Sequence, residues 1–163
     1  MPRIAIITAV LVLVADWLSK FLLIDYMTAL GRPLVLTPFF NLVMVWNEGV
    51  SFGLFKSPGD SRWVLIILSF AIVIGLIVWA RRTDHTMLLI AIGAVIGGAL
   101  GNVYDRVYYG AVADFFDIHL LGYHWPAFNI ADSAITVGVA IVLVDGFVNT
   151  RDEQKEGKNS EQE

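Results

Sequence analysis

Four apolar stretches, approximately residues 4–24, 63–80, 87–104 and 132–149, constrain this chain more than any other feature. A helix rises about 1.5 Å per residue, so each stretch is long enough to cross a hydrocarbon core of about 30 Å. The bulk composition agrees: 57% of residues are hydrophobic, only 16% are charged, and the mean hydropathy is +0.70. Soluble domains carry nearer a quarter of charged residues. The first stretch opens with Met1, Pro2 and Arg3, as a signal peptide would, but it is longer than such a core and carries Asp16 and Lys20. It reads as a retained transmembrane helix.

Segment 39–55, FFNLVMVWNEGVSFGLF, is a poor fifth span, because Asn41, Asn47, Glu48, Gly49 and Gly53 interrupt it and prolines bracket it. Its alternating Val, Leu and aromatic residues suit a small sheet at the membrane interface. Arg81 and Arg82 in the tight 81–86 turn, Arg3 before the first span, and Arg151, Lys155 and Lys158 after the last favour both termini in the cytoplasm. The longer connections 25–62 and 105–131 then face outward. Residues 1–150 read as one membrane domain, and the polar tail 151–163 reads as disordered.

Composition removes several chemistries. The net charge of −4, with no basic tract, gives no footing for nucleic acid. The absence of cysteine excludes disulfides, thiolate nucleophiles and Cys-based metal sites. Gly49-Val50-Ser51-Phe52-Gly53 matches the G-x-S-x-G elbow of soluble hydrolases, but this chain has no room for the α/β domain that elbow needs. His119, His124 and Asp117 lack the spacing of a zinc site, so no metal is expected.

With this topology the polar residues gather at the outer level. Asp16 and Lys20, spaced i,i+4, share a helix face and read as a structural ion pair. Asn102, Asp105 and Arg106 close the third span, where Asp105 and Arg106 could simply cap and anchor it. Asp132 opens the fourth and alone could be an N-cap. Asp114 and Asp117 lie between those spans, and Asn47 and Glu48 lie in the other outer connection. Gly93, Gly97 and Gly101 read as a close helix-packing stripe, Trp125, Tyr108, Tyr109 and Tyr123 as an interfacial belt, and Asp145 as a plain interfacial acid.

Asp114 and Asp132 are harder to dismiss. Two carboxylates meeting at the edge of a low-dielectric region cannot both ionise cheaply, so one keeps a proton while the other can activate water. Asp132 at a helix amino end is the expected charged member, and Asp114 the protonated one. The rival from another class is a proton-coupled carrier or membrane assembly subunit using the same buried charges. A carrier would place its site near the midplane, between repeated halves, and neither feature is visible.

The chain resembles the bacterial lipoprotein signal peptidases, or signal peptidase II, over nearly its whole length to about residue 150. The resemblance rests on Asp16 and Lys20, Asn47-Glu48-Gly49, Gly97-Gly98-Ala99-Leu100-Gly101-Asn102, Asp105-Arg106, Gly110, Val112-Ala113-Asp114-Phe115, and Trp125 through Asp132. It implies four transmembrane helices with a small outward sheet and a short interfacial helix. It also implies an aspartyl endopeptidase that cuts before the lipidated cysteine of diacylglyceryl-modified prolipoproteins. Asp114 and Asp132 take the catalytic positions. Asn47, Gly49, Asn102, Asp105, Arg106, Asn129 and Ala131 fall where the family binds substrate or supports the dyad. The implied setting is the bacterial cytoplasmic (inner) membrane, among membrane lipids, with sensitivity to the cyclic peptide globomycin. One chain holds every catalytic part, so a monomer with no cofactor is the expectation. Trp46 stands where the family commonly has arginine, and Val50 and Ser51 where it often has alanines.

Overall fold

The computed structural model describes residues 1–49 and 60–160. Its elements run α1 (Arg3–Leu30), β1 (Leu34–Thr37), β2 (Phe40–Asn47), α2 (Asp60–Ala80), α3 (Thr86–Tyr108), β3 (Val112–Leu120), β4 (Tyr123–His124) and α4 (Ile130–Ser160). All four helices contain a stretch long and apolar enough to span a membrane. The short interfacial helix is not among the described elements, and Val50–Gly53 of the G-x-S-x-G match lie outside the described residues.

Helix α3 is the axis of the bundle. Within its span 72% of residues are buried, against 11–17% in the other three. Small residues make this possible. A Cβ on Gly93 would stand 2.5 Å from the Ala5 carbonyl oxygen, and one on Gly97 would collide with the Ala9 carbonyl. The contacts advance together along both chains, so α1 runs parallel to α3. On another face a Cβ on Gly98 would stand 2.5 Å from the Ala131 carbonyl oxygen, while Gly138 of α4 lies against Ala91 and Val95. The glycine stripe therefore seats α1 and α4 backbone to backbone, as expected for membrane helices. Replacing Gly97 with leucine should destabilise the bundle by about 1–3 kcal/mol or more, read as earlier thermal unfolding in detergent, because the obstacle is rigid backbone.

Three helices outrun their expected ends, α3 by four residues to Tyr108. Helix α1 continues from the expected 24 to Leu30 and stops where Gly31 takes φ 64°, a left-handed cap that glycine adopts without strain. Helix α4 continues beyond 149 to Ser160, so ten residues of the tail expected to be disordered are helical. Glu, Gln, Lys and Arg are good helix formers, and a helix already nucleated extends at little cost.

The sheet is antiparallel, in the order β1-β2-β3-β4. Its decisive feature is an irregularity in β2 between Leu42 and Val45. Asn41 faces Asp117 and Leu42 faces Phe116, yet Val45 rather than Met44 faces Asp114. One extra residue in β2 reverses the side-chain parity beyond it. Asn47 thereby shares a face with Asp114.

Candidate active site

The amino end of α4 is built as a reciprocal cap. Asn129 precedes the helix, and its Oδ1 accepts the Asp132 backbone N–H at 2.9 Å; Asp132 Oδ2 in return accepts the Asn129 N–H at 3.3 Å. This is a capping box of the form Asn-x-x-Asp. Asp132 is therefore not the N-cap that the sequence suggests; it lies inside the first turn, and Asn129 is the cap. Ser133 Oγ adds a bond to the Asn129 carbonyl at 2.9 Å.

That cap also joins the two acids. Asn129 is fully buried, and its Nδ2 donates to Asp114 Oδ1 at 2.8 Å and approaches Ala113 O at 3.2 Å and Asn102 Oδ1 at 3.3 Å. Asn102 in turn donates from Nδ2 to Asp132 Oδ1 at 2.7 Å. The path from one carboxyl to the other thus runs through two buried amides. Asn47 completes the shell by donating to Asp114 Oδ2 at 3.0 Å. Its own Oδ1 accepts the Gly49 N–H at 2.9 Å, which fixes which amide atom faces the acid. Gly49 takes φ 105°, a conformation few other residues adopt without strain.

The two acids differ in surroundings. Asp114, on β3, is 1% exposed; Asp132 is partly exposed and lines a largely apolar groove of about 570 Å³ with Ile118, Trp125, Phe128, Thr136 and Val137. Burial pushes the Asp114 carboxyl up to about 6; the hydrogen bond from Asn47 opposes this, and the negative charge of Asp132 adds to it.

Behind the dyad, Lys20 Nζ bonds Asp16 Oδ2 and Asp105 Oδ2, each at 2.7 Å. The expected Asp16–Lys20 pair is present, and Asp105 makes it a triad. Asp16 Oδ1 also accepts the Ala131 N–H at 2.9 Å, and Asp105 Oδ2 accepts the Ala113 N–H at 3.2 Å. Arg106 does not pair with Asp105. Its Nη1 donates to the Asn102 carbonyl at 3.2 Å, and its buried Nε has no partner among the described residues.

Asp117, expected at the same polar site, is elsewhere. It lies three residues from Asp114 along β3, an odd step that turns it to the other face of the strand. There it accepts from Asn41 Nδ2 at 2.8 Å and contacts His124 Nδ1 at 2.8 Å, with His119 stacked on His124 at 4.8 Å. No group of three His, Asp or Glu among the described residues is placed to hold a metal ion. Asp145 is likewise more than an interfacial acid, since it meets His85 Nδ1 at 2.9 Å. Trp46 packs its ring against Tyr109 at 5.2 Å. Sequence pattern does not single out Ala113 and Ser133, because they act through backbone groups or on one, and neither carries a motif of its own.

The model of the family described as signal peptidase (SPase) II matches residues 8–148 of this chain. The chain belongs to the signal peptidase II family. Relatives agree over most of their length. The lipoprotein signal peptidase of Methylobacterium radiotolerans is 45% identical over 147 residues, covering 89% of this chain and 86% of that one. That of Methylocella silvestris is 38% identical over 161 residues, covering 97% and 94%. A bacterial membrane enzyme solved by the in meso method superposes with a TM-score of 0.78 at 32% identity, covering 91% of this chain and 90% of that one. This signal peptidase II family member is accordingly a multi-pass membrane protein and an aspartic protease.

Proposed function

We infer that this chain removes signal peptides from diacylglyceryl-modified prolipoproteins, cutting before the lipidated cysteine, and that Asp114 and Asp132 do the chemistry. The observation that carries the reading is the amide bridge: Asn129 and Asn102 hold the two carboxyls around one small region at the mouth of an apolar groove. Asp132 is built to carry charge. It sits in the first turn of α4 and accepts N–H bonds from Asn102 and from the Asn129 backbone. It takes a proton from a water lying between the acids. Asp114, protonated, donates to the scissile carbonyl, and the water oxygen attacks that carbon. As the tetrahedral intermediate collapses, the proton held by Asp132 passes to the leaving amine, and Asp114 takes its proton back from the former carbonyl oxygen. Arg106, whose Nη1 donates to the Asn102 carbonyl, supports the dyad from α3.

The apolar groove beside Asp132 accounts for the substrate class. Each CH₂ moved from water to an apolar site is worth about 0.8 kcal/mol, so acyl chains in a bilayer must stay in apolar surroundings while the bond is cut. A site at the level of the helix ends reaches the peptide without extracting its lipid. We place that level at the outer leaflet of the cytoplasmic membrane, with both termini in the cytoplasm. One chain supplies both acids and their amide supports, so a monomer suffices, and globomycin would compete for the same groove.

The test is an in vitro gel shift with purified protein. A diacylglyceryl-modified prolipoprotein should be cut before its cysteine, and the same protein without lipid should be cut at least about 100-fold more slowly. Equal cleavage of both would reject the lipid-dependent reading. Proton-driven flux in liposomes without any cleavage would favour the carrier, for which the position of the acids at the sheet-bearing helix ends gives no support.

A further inference from the structure

We propose that Asp16, Lys20 and Asp105 form a clamp that sets the separation of the two catalytic carboxyls, which makes Lys20 a positioning residue for hydrolysis. The inference rests on the dyad reading above and goes beyond it.

The clamp is visible in its connections. Asp16 Oδ1 accepts the N–H of Ala131, the residue immediately before Asp132. Asp105 Oδ2 accepts the N–H of Ala113, the residue immediately before Asp114. A single ammonium, Lys20 Nζ, bonds both acids at 2.7 Å. The backbones that carry the dyad, β3 and α4, are thus referred to one point on α1. Rigidity is built in, since Asp16, Lys20, Asp105, Ala113 and Ala131 are all at most 3% exposed. Space is kept for the clamp as well: a Cβ on Gly101 would stand 2.5 Å from Asp16 Oδ2 and 3.6 Å from the Ala131 Cβ.

Stability alone does not call for this arrangement. A buried ion pair is weak evidence for stability, although the Ala113 and Ala131 N–H groups do need acceptors here. Geometry does call for it. The side chains of the dyad are already held by Asn129, Asn102 and Asn47, but those amides fix side-chain direction relative to backbones that must themselves be fixed. The charged groups acting on Asp114 are Lys20 from α1, Asp132 from α4 and Arg106 from α3, with Asp105 of α3 behind Ala113; the β2 neighbour, Asn47, is neutral.

The deciding comparison is between fold and turnover in the apolar triple variant Asp16→Leu, Lys20→Met, Asp105→Leu. It should keep helical circular dichroism but unfold earlier, because the buried Ala113 and Ala131 N–H groups lose their acceptors, while kcat falls about 100-fold with KM unchanged, as expected when reacting groups are misplaced rather than removed. A folded triple variant that turns over like the wild type overturns the clamp. Should the triple variant fail to fold, Asp105→Asn decides, because it keeps an acceptor for the Ala113 N–H while loosening the hold on Lys20. Its kcat should drop about 10-fold at constant KM. The alkaline limb of its pH profile should also move to lower pH, since a less neutralised ammonium beside Asp114 favours the ionised acid. An unchanged kcat and an unchanged limb would overturn the clamp. Asp114→Asn and Asp132→Asn run alongside: activity in either removes the dyad reading itself, whereas two inactive dyad variants beside an active triple variant remove only the clamp.

Discussion

Asp114→Asn and Asp132→Asn should each lower cleavage of a lipidated prolipoprotein by at least about 10⁴-fold while leaving the protein folded in the membrane. Each asparagine preserves shape and removes one half of a proton exchange. The amide in Asp132→Asn has no basic oxygen for the water proton, and the amide in Asp114→Asn cannot cycle between donor and carboxylate. Stability separates the two variants. In the wild type, burial raises the folded-state Asp114 carboxyl from 3.8 to about 6. The protonated acid is therefore favoured by folding, and its contribution is complete below 3.8 and lost as pH rises through about 6. The loss amounts to about 3 kcal/mol at most, taking 1.36 kcal/mol per unit. Between about pH 4 and 7 the Asp114→Asn variant should lack this decline, so its thermal unfolding should depend less on pH than that of the wild type. Chemistry is lost, and with it a cost of folding near neutral pH.

Asn129→Ala is expected to have the second-largest effect, and to strike folding and turnover together. The side chain removed is the N-cap of α4, worth about 1 kcal/mol, and the deletion also leaves Asp114 Oδ1 without its donor in a buried site, worth about 1–3 kcal/mol. The sum, on the order of 2–4 kcal/mol, should appear as earlier unfolding. Turnover should fall about 100-fold, because the amide link that orients both acids is gone. Asn129→Asp keeps the cap but places a third carboxylate between two others. It should therefore recover stability at low pH and lose it as pH rises, without recovering activity.

The sequence shows the spans because their signal is local: a run of apolar residues declares its own environment. Glycine at 31 marks the end of α1, a stop signal that outweighs the polar residues from Asp25 onward. The Asn-x-x-Asp pattern at 129–132 likewise announces a capping box, although the apolar run by itself draws the boundary at Asp132 instead of Ile130. Other features have no local signature. The extra residue in β2 decides that Asn47, and not its neighbour, reaches Asp114, and alternation by itself cannot reveal a reversed register. The step of three from Asp114 to Asp117 separates two acids that look like partners in the linear chain. Lys20 shows its i,i+4 acid, but not Asp105, because that bond depends on how closely Gly97 and Gly101 let α1 approach α3.

The central claim is that Asp114 and Asp132 behave as one coupled pair, and an infrared titration of carboxyl bands tests it most directly. Purified wild type, Asp114→Asn and Asp132→Asn would be compared in detergent across the acid range. A carboxyl titrating near about 6 should be present in the wild type, absent in Asp114→Asn, and moved to lower pH in Asp132→Asn, where the opposing charge is gone. A wild-type spectrum with no such carboxyl, or one whose midpoint ignores Asp132→Asn, would contradict the shared site.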